Sequence, residues 1–467
     1  MDFSADNPVI WDGVIQFGWI CLILLVGNLV RRKIRWFRQA LLPTSVIAGF
    51  LGLLLVQTGL LRFDQGFLNG ITYHTIAIGF IALGLRIPRR KDVKRHGATS
   101  HDGTKTGMLI VSNYLIQGVL GLVTMIVLAH TFLPGTFEAA GLLLPMGYGQ
   151  GPGQANNIGS VYENIWGFTG GQSFGLALAT AGFLWASIGG IFYLNILQRQ
   201  NKLPAQVAAS PKEQGCDIFE DPDEIPLTEA VDRLTIQIAL VMSIYLLTFL
   251  ISLGVVSLFD LSPALAGAKK TISPLIWGFN FLIGSSLALG IRGSLQRLRQ
   301  IGWMTRQYPN SYLLNRISGF AFDLMITASI ISIQIDDLQG LWIPFILMST
   351  LGGVLTLAYN VAMARRLYPD YPVAGMLSMY GMMTGTVSTG ILLLREVDPA
   401  FQTPAANNLV IGSSVAILLG FPILLMVGLA PQSTALLYLT LGLAAAYAII
   451  LNVLMLRRWK PKQNEAS

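Results

Sequence analysis

Two stretches, residues 139–165 and 371–395, hold most of the candidate chemistry in this chain. The first reads AAGLLLPMGYGQGPGQANNIGSVYENI and the second YPVAGMLSMYGMMTGTVSTGILLLR. Both contain Tyr-Gly-x-x-x-Gly. A shift of 232 residues lays Tyr148, Gly149 and Gly153 on Tyr380, Gly381 and Gly385, and Gln154, Asn156 and Asn157 on Thr386, Ser388 and Thr389. In the first stretch Pro145, Pro152 and five glycines from Gly147 to Gly159 interrupt any helix. A broken helix offers N–H groups at the start of its second half, which attract a carboxylate. It offers carbonyls at the end of its first half, which coordinate sodium together with hydroxyl and amide oxygens. Tyr148, Gly149, Gln150, Gly151, Gly153, Gln154, Thr384, Gly385, Thr386 and Ser388 are therefore candidate substrate-binding residues. Asn156, Asn157 and Thr389 are candidate sodium ligands. The plainer alternative is that the glycine motif packs helices closely and the polar side chains pair broken backbone.

Two further sodium candidates lie outside these stretches. Asp323 is an acid deep in an apolar run, RISGFAFDLMITASI. An acid at that depth costs about 3 kcal/mol to insert, so it needs a partner. It is a sodium ligand, a proton-coupling group, or half of a structural pair with Arg292 or Arg316. Asn360, with Asn407 and Asn408, is close in sequence to the second stretch and either supports it or caps helices. Arg395 either meets an anionic substrate or anchors its loop.

Composition sets the environment of these groups. Of 467 residues, 53% are hydrophobic and only 12% charged, against about 25% charged in soluble domains. The chain reads as an all-α polytopic membrane protein, and its net charge of +7 does not point to nucleic acid. Cys21 and Cys216 form no disulfide framework, and the four histidines are scattered, so no cofactor or metal other than sodium is expected. The N-terminal run lacks a basic flank and reads as a retained span.

Apolar runs long enough to span fall at residues 13–30, 41–61, 71–87, 107–132, 171–197, 234–259, 271–291, 316–335, 341–364, 405–429 and 434–456. The count is eleven. With the N-terminus outside, and each broken stretch returning to the side it entered from, 28 of the 31 Lys and Arg fall inside. The expected organisation follows. Residues 1–197 are a first repeat with a re-entrant hairpin at 139–165, and residues 234–429 are a second, inverted repeat with its hairpin at 371–395. Residues 198–233 are a cytoplasmic linker, and residues 430–467 are one extra span with a basic cytoplasmic tail. Each repeat holds five spans.

Pro43 with Ala48 and Gly49, MGYGQGPGQANNIG, and YPVAGMLSMYGMMTGTVSTG together resemble the sodium:glutamate symporter family of bacteria. The likeness runs nearly from Met1 to Leu429. It implies inverted five-span repeats, re-entrant hairpins, a homodimeric scaffold in the inner membrane, and an elevator-like motion that takes up glutamate with sodium. The family's hairpins carry histidine after glycine. This chain has Gly147-Tyr148-Gly149-Gln150 and Met379-Tyr380-Gly381 instead. The expectation is a sodium-coupled carrier of glutamate or a similar small carboxylate. A proton-coupled or exchange carrier of another organic anion is the alternative, and a channel a more distant one. Neither a nucleophile–base pair nor paired intramembrane carboxylates point to an enzyme.

Overall fold

The computed structural model describes residues 7–39, 41–86, 102–200, 227–259, 269, 273–274, 276–303, 309–398 and 403–457. Every extended regular element among them is helical. In chain order these are α1 (Pro8–Lys33), α2 (Arg35–Gln39), α3 (Thr44–Gln57), α4 (Gln65–Leu85), α5 (Asp102–Thr131), α6 (Leu143–Tyr148), α7 (Pro152–Trp166), α8 (Gly171–Arg199) and α9 (Leu227–Leu258). There follow α10 (Asn280–Gln300), α11 (Ser311–Ile331), α12 (Trp342–Leu367), α13 (Pro372–Thr384), α14 (Val387–Arg395), α15 (Ala405–Leu419), α16 (Phe421–Leu429) and α17 (Thr434–Leu456). A 3-10 turn, Glu138–Leu142, leads into α6.

Eight of these helices, α1, α4, α5, α8, α9, α11, α12 and α17, are long and apolar enough to cross a membrane among the described residues. A ninth span exists if α15 and α16 count together. The chain is an all-α membrane-embedded protein. The expected eleven spans are corrected at three places. The second run yields α3, of 14 residues. At 1.5 Å per residue it is roughly 21 Å long, short of a ~30 Å hydrocarbon core. Pro43 precedes it, and Gly59, at φ 74°, turns the chain just beyond it. The seventh run lies partly outside the described residues, at 271, 272 and 275; its described end continues in α10 past residue 291 and takes in Arg292, Arg297 and Arg299. The tenth run is bent by 50° between α15 and α16, where Gly420 and Pro422 interrupt it. The third run is longer than expected, because the Asp64 carboxylate caps α4 by accepting from Phe67 N–H at 2.7 Å. Most of the expected linker lies outside the described residues, as does the tail from residue 458; α9 takes in the linker's last residues, 227–233.

Two antiparallel helix pairs form the centre. In the first, Gln65 at the start of α4 donates to the Ser332 carbonyl just past the end of α11, at 2.8 Å. Gly79 packs on Phe322 midway, and Leu85 shares a core cluster with Leu314 at the far end. In the second, Gln117 and Asn113 of α5 meet Thr356 and Asn360 of α12, in that reversed order. In an apolar medium such interhelical hydrogen bonds and small-residue contacts take the place of hydrophobic burial as the glue. The outward faces of α1, α9, α12 and α17 are apolar and exposed, including Leu25, Leu246, Ile346 and Ile449, as a lipid-facing belt requires.

The C-terminal helix α17 is pinned to the second pair. Tyr359 O–H donates to Asn452 Oδ1 at 2.8 Å, Asn452 Nδ2 donates to Ser112 Oγ at 2.8 Å, and the Ser112 and Tyr359 hydroxyls meet at 2.7 Å. This closed ring joins α5, α12 and α17. Replacing Asn452→Leu leaves the Ser112 hydroxyl, which is buried, with one partner fewer. The expected loss is about 1–2 kcal/mol, given measured interhelical bonds in membranes. It is read as a lowered unfolding midpoint in detergent, and an unchanged midpoint would show the ring to be dispensable.

Candidate functional site

The first break begins where the 3-10 turn meets α5. Gly121 and Gly141 pack backbone to backbone, and a Cβ on either would collide with the other's main chain. Helix α6 then ends at Tyr148, whose hydroxyl donates to the Ser349 carbonyl of α12 at 2.6 Å. The Gly149 and Gln150 N–H groups both return to the Pro145 carbonyl, at 3.0 and 3.1 Å. Gly151 follows at φ 91°, ψ 179°, a conformation open in practice to glycine alone. Pro152 starts α7 at the first helical position, and no side chain caps that end. The N–H groups of Gly153 and Gln154 lie in the first turn, which a helix cannot pair internally.

The second break is built similarly. The Tyr380 hydroxyl of α13 donates to the Trp185 carbonyl of α8 at 2.9 Å. Tyr148 is thus tied to α12 and Tyr380 to α8, each to the other half of the chain. Helix α13 ends at Thr384, and Thr386 takes up extended backbone before α14 without capping it. Helix α14 folds back on α13. A Cβ on Gly390 would strike the Ser378 carbonyl and press on Met382.

The two breaks touch. A Cβ built on Gly151 would lie 3.7 Å from the Gly385 carbonyl oxygen and 3.8 Å from Thr386 Cγ2. Two uncapped helix starts and two helix ends therefore converge at one place. Each start carries partial positive charge on N–H groups and each end partial negative charge on carbonyls. The arrangement can hold an anion and a cation side by side. Polar atoms without partners mark the same region. Gln154 is fully buried, with neither its Oε1 nor its Nε2 bonded. Gln150 Oε1 and Gln117 Oε1 are likewise buried and unbonded. Such groups cost roughly 1–3 kcal/mol each unless something pairs with them.

The candidate substrate residues all lie at these breaks, but they do not offer the same groups. The hydroxyls of Tyr148 and Thr384 are engaged, on Ser349 O and Tyr380 O. Gly153 packs against Ile76 and Met325. Gly149, Gly151 and Gly385 are buried, Gln150 and Thr386 are half-buried, and Ser388 is exposed. The sodium candidates are dispersed. Thr389 is buried beside Thr386, with their hydroxyls at 3.4 Å. Asn156 Oδ1 accepts from Gln172 Nε2 at 2.9 Å, and Asn157 Nδ2 donates to the Gly278 carbonyl at 2.9 Å. Asn360 donates to Asn113 Oδ1 at 2.8 Å, so it clasps α12 to α5.

Asp323 is exposed, with Ser45 of α3 beside it and the positive charge of Arg31, on α1, acting on it without an ion pair. The anticipated partners are engaged elsewhere, Arg292 on the Arg86 carbonyl and Arg316 on Tyr312. Asn408 supports the second stretch by donating to the Tyr371 hydroxyl at 2.7 Å. That hydroxyl in turn donates to the Asp102 carboxylate at 3.3 Å. Arg395 is at the far end of α14, roughly 13 Å along the axis from the break.

Gln117 was not among the candidates, because it lies in an apolar run read as a plain span. Its signal was present in the i, i+4 pair Asn113 and Gln117, two amides on one helix face. No protein-family model matches the chain, and no curated protein matches it.

Replacing Gly151→Ala forces an L-residue into glycine-only backbone space at the meeting point. A loss of about 1–3 kcal/mol in unfolding stability is expected. Gly442→Ala, where nothing lies within 4 Å of the added Cβ, is the control and is neutral or mildly stabilising. Equal behaviour of the two variants would contradict the backbone assignment.

Proposed function

We propose that the protein is a secondary active transporter that couples inward movement of sodium to import of glutamate or a similar small carboxylate. The observation that carries this reading is the meeting of two broken helices, from distant parts of the chain, among helices apolar enough to span. Paired broken helices are the sequence and structural pointer to a transporter site, since non-helical backbone at membrane depth is tolerated only inside protein or along a wet cavity.

In this reading the chain consists of two inverted-topology repeats of five spans, each with a re-entrant hairpin, plus the extra helix α17. The antiparallel pairing of α4 with α11 and of α5 with α12 supports it, because these are corresponding spans of the two repeats. The reciprocal anchors of Tyr148 and Tyr380 support it as well. Opposed hairpins would enter from opposite faces and meet at the Gly151–Gly385 contact. The N–H groups at the starts of α7 and α14 would hold the substrate carboxylate. Carbonyls at the ends of α6 and α13, with neighbouring side-chain oxygens, would hold sodium.

The hairpins with α5, α8 and α12 would then move as one body against a scaffold containing α1 and α3, with a second copy of the chain completing the scaffold. The Arg31 charge acting on Asp323 supports an electrostatic link between α11 and that scaffold over a direct role on sodium. The excess of Lys and Arg in the loops of one side supports an N-terminus outside and a C-terminal tail in the cytoplasm of a bacterial cell. The likeness to the sodium:glutamate symporters favours glutamate over other carboxylates.

The test is uptake of labelled glutamate, with a panel of other carboxylates, into proteoliposomes. An inward sodium gradient should raise initial uptake of at least one substrate by about 5–150-fold, the usual range of coupling between two sites. Uptake that is indifferent to sodium and follows a pH gradient would replace this reading with the proton-coupled carrier. Unitary currents without saturation would replace it with a channel.

A further inference from the structure

One buried amide touches both breaks. Gln117 of α5 is 1% exposed. Its Nε2 donates to Thr356 Oγ1 at 2.9 Å and to the Met383 carbonyl at 2.8 Å, close to the end of α13. Both hydrogens of the amide are thereby used. This also fixes which end is which, because a flipped amide would set its oxygen against the Met383 carbonyl. The oxygen that remains, Oε1, is buried and has no hydrogen-bond partner. It lies against the other break, since a Cβ on Gly149 would come within 3.0 Å of it.

The surroundings of that oxygen are rich in acceptors. Gln150 Oε1, one residue beyond Gly149, is also buried and unbonded. The last turns of α6 and α13 carry carbonyls that a helix cannot pair internally. The Gly385 carbonyl faces Gly151. A buried amide oxygen with no donor, beside helix ends that carry free carbonyls, suits a small hard cation, which needs lone pairs and no hydrogen-bond geometry. We propose that Gln117 Oε1 is a ligand of a sodium ion seated where the two breaks meet. The proposal rests on the symporter reading and adds to it the residue through which the cation acts. Because the same side chain holds Met383 by Nε2, an ion on Oε1 ties the first break to the second. Sodium binding thereby sets the spacing of the two helix starts that receive the carboxylate, which is a physical route for coupling.

The experiment is thermal unfolding of the full-length protein in detergent, titrated with sodium chloride at constant ionic strength in choline chloride, with no organic substrate present. The wild type should gain stability with sodium by mass action. Gln117→Leu should shift the sodium midpoint up by at least about tenfold, which corresponds to about 1.4 kcal/mol for the lost amide-oxygen ligand. Thr356→Val removes one acceptor of Nε2 and leaves Oε1 in place, so its midpoint should stay within about twofold of wild type. If Gln117→Leu does not fold, Gln117→Glu is read instead. Its carboxylate should lower the sodium midpoint at alkaline pH, and an unchanged midpoint overturns the proposal. A wild-type midpoint retained in Gln117→Leu overturns the proposal alone and leaves the symporter reading standing. Equal shifts in Gln117→Leu and Thr356→Val would make Gln117 a strut, and also overturn it. A wild type that ignores sodium altogether overturns both the proposal and the sodium part of the symporter reading.

Discussion

Backbone that leaves the helical path inside an apolar medium must find partners for its N–H and C=O groups, and the rest of this structure follows from that need. Residues 149–151 and 385–386 are two such interruptions. Neither is capped by its own side chains. They are held by neighbours instead. Backbone contacts without side chains, Gly121 on Gly141 and Gly390 on Ser378, bring the short helices in close. Two buried tyrosine hydroxyls tie each interruption to a helix of the opposite half. The amides of α5 and α12 then link these helices to each other and to Met383. Among the buried polar atoms left unpaired after all this are those of Gln117, Gln150 and Gln154 at the meeting point, beside the two uncapped helix starts.

That residue of unpaired polarity is what a ligand could satisfy. A sealed apolar core would not retain it, because each orphan group lowers stability. The same bonds also settle which helices belong together. The ring of Ser112, Tyr359 and Asn452 fastens α17 to the pair α5 and α12, which carry the polar ladder reaching the breaks. The additional helix is therefore part of the body around the breaks. Helices α1, α3, α4 and α11 share a smaller apolar cluster, with Ile20, Ile23, Ala48, Leu68 and Ile331, while α3 and α11 also enter the main core through Val46, Ile47 and Met325.

Much of this was legible in the chain. The repeated Tyr-Gly-x-x-x-Gly marked both interruptions, because proline and clustered glycine have local consequences that tertiary structure does not undo. Long apolar runs located the spans, but three differed for local reasons. Pro43 and Gly59 shorten α3, arginines extend α10 away from its apolar start, and Gly420 with Pro422 bends the tenth run. The use of individual polar side chains was much less legible. Asn360 resembles a ligand in sequence, yet its partner is Asn113, 247 residues away. Asp323 is deep in its span, yet the side chain beside it is Ser45 of α3, with the Arg31 charge acting on it from α1. Gln117 gave only the spacing of two amides, and its double contact depends on the crossing of α5 with two elements far along the chain. Helical periodicity tells which residues share a face; which partner that face meets is a property of the assembled bundle.

The account stands on the claim that the two interruptions form one site, reached from opposite sides of the membrane. Thiol labelling tests it most directly. With Cys21 and Cys216 replaced, single cysteines at Gln150 and Ser388 are challenged with a membrane-impermeant reagent on cells and on inverted vesicles. The account predicts that each position reacts from a different side, and that sodium with the transported carboxylate protects both. Labelling of both from one side, or protection of one without the other, would contradict it.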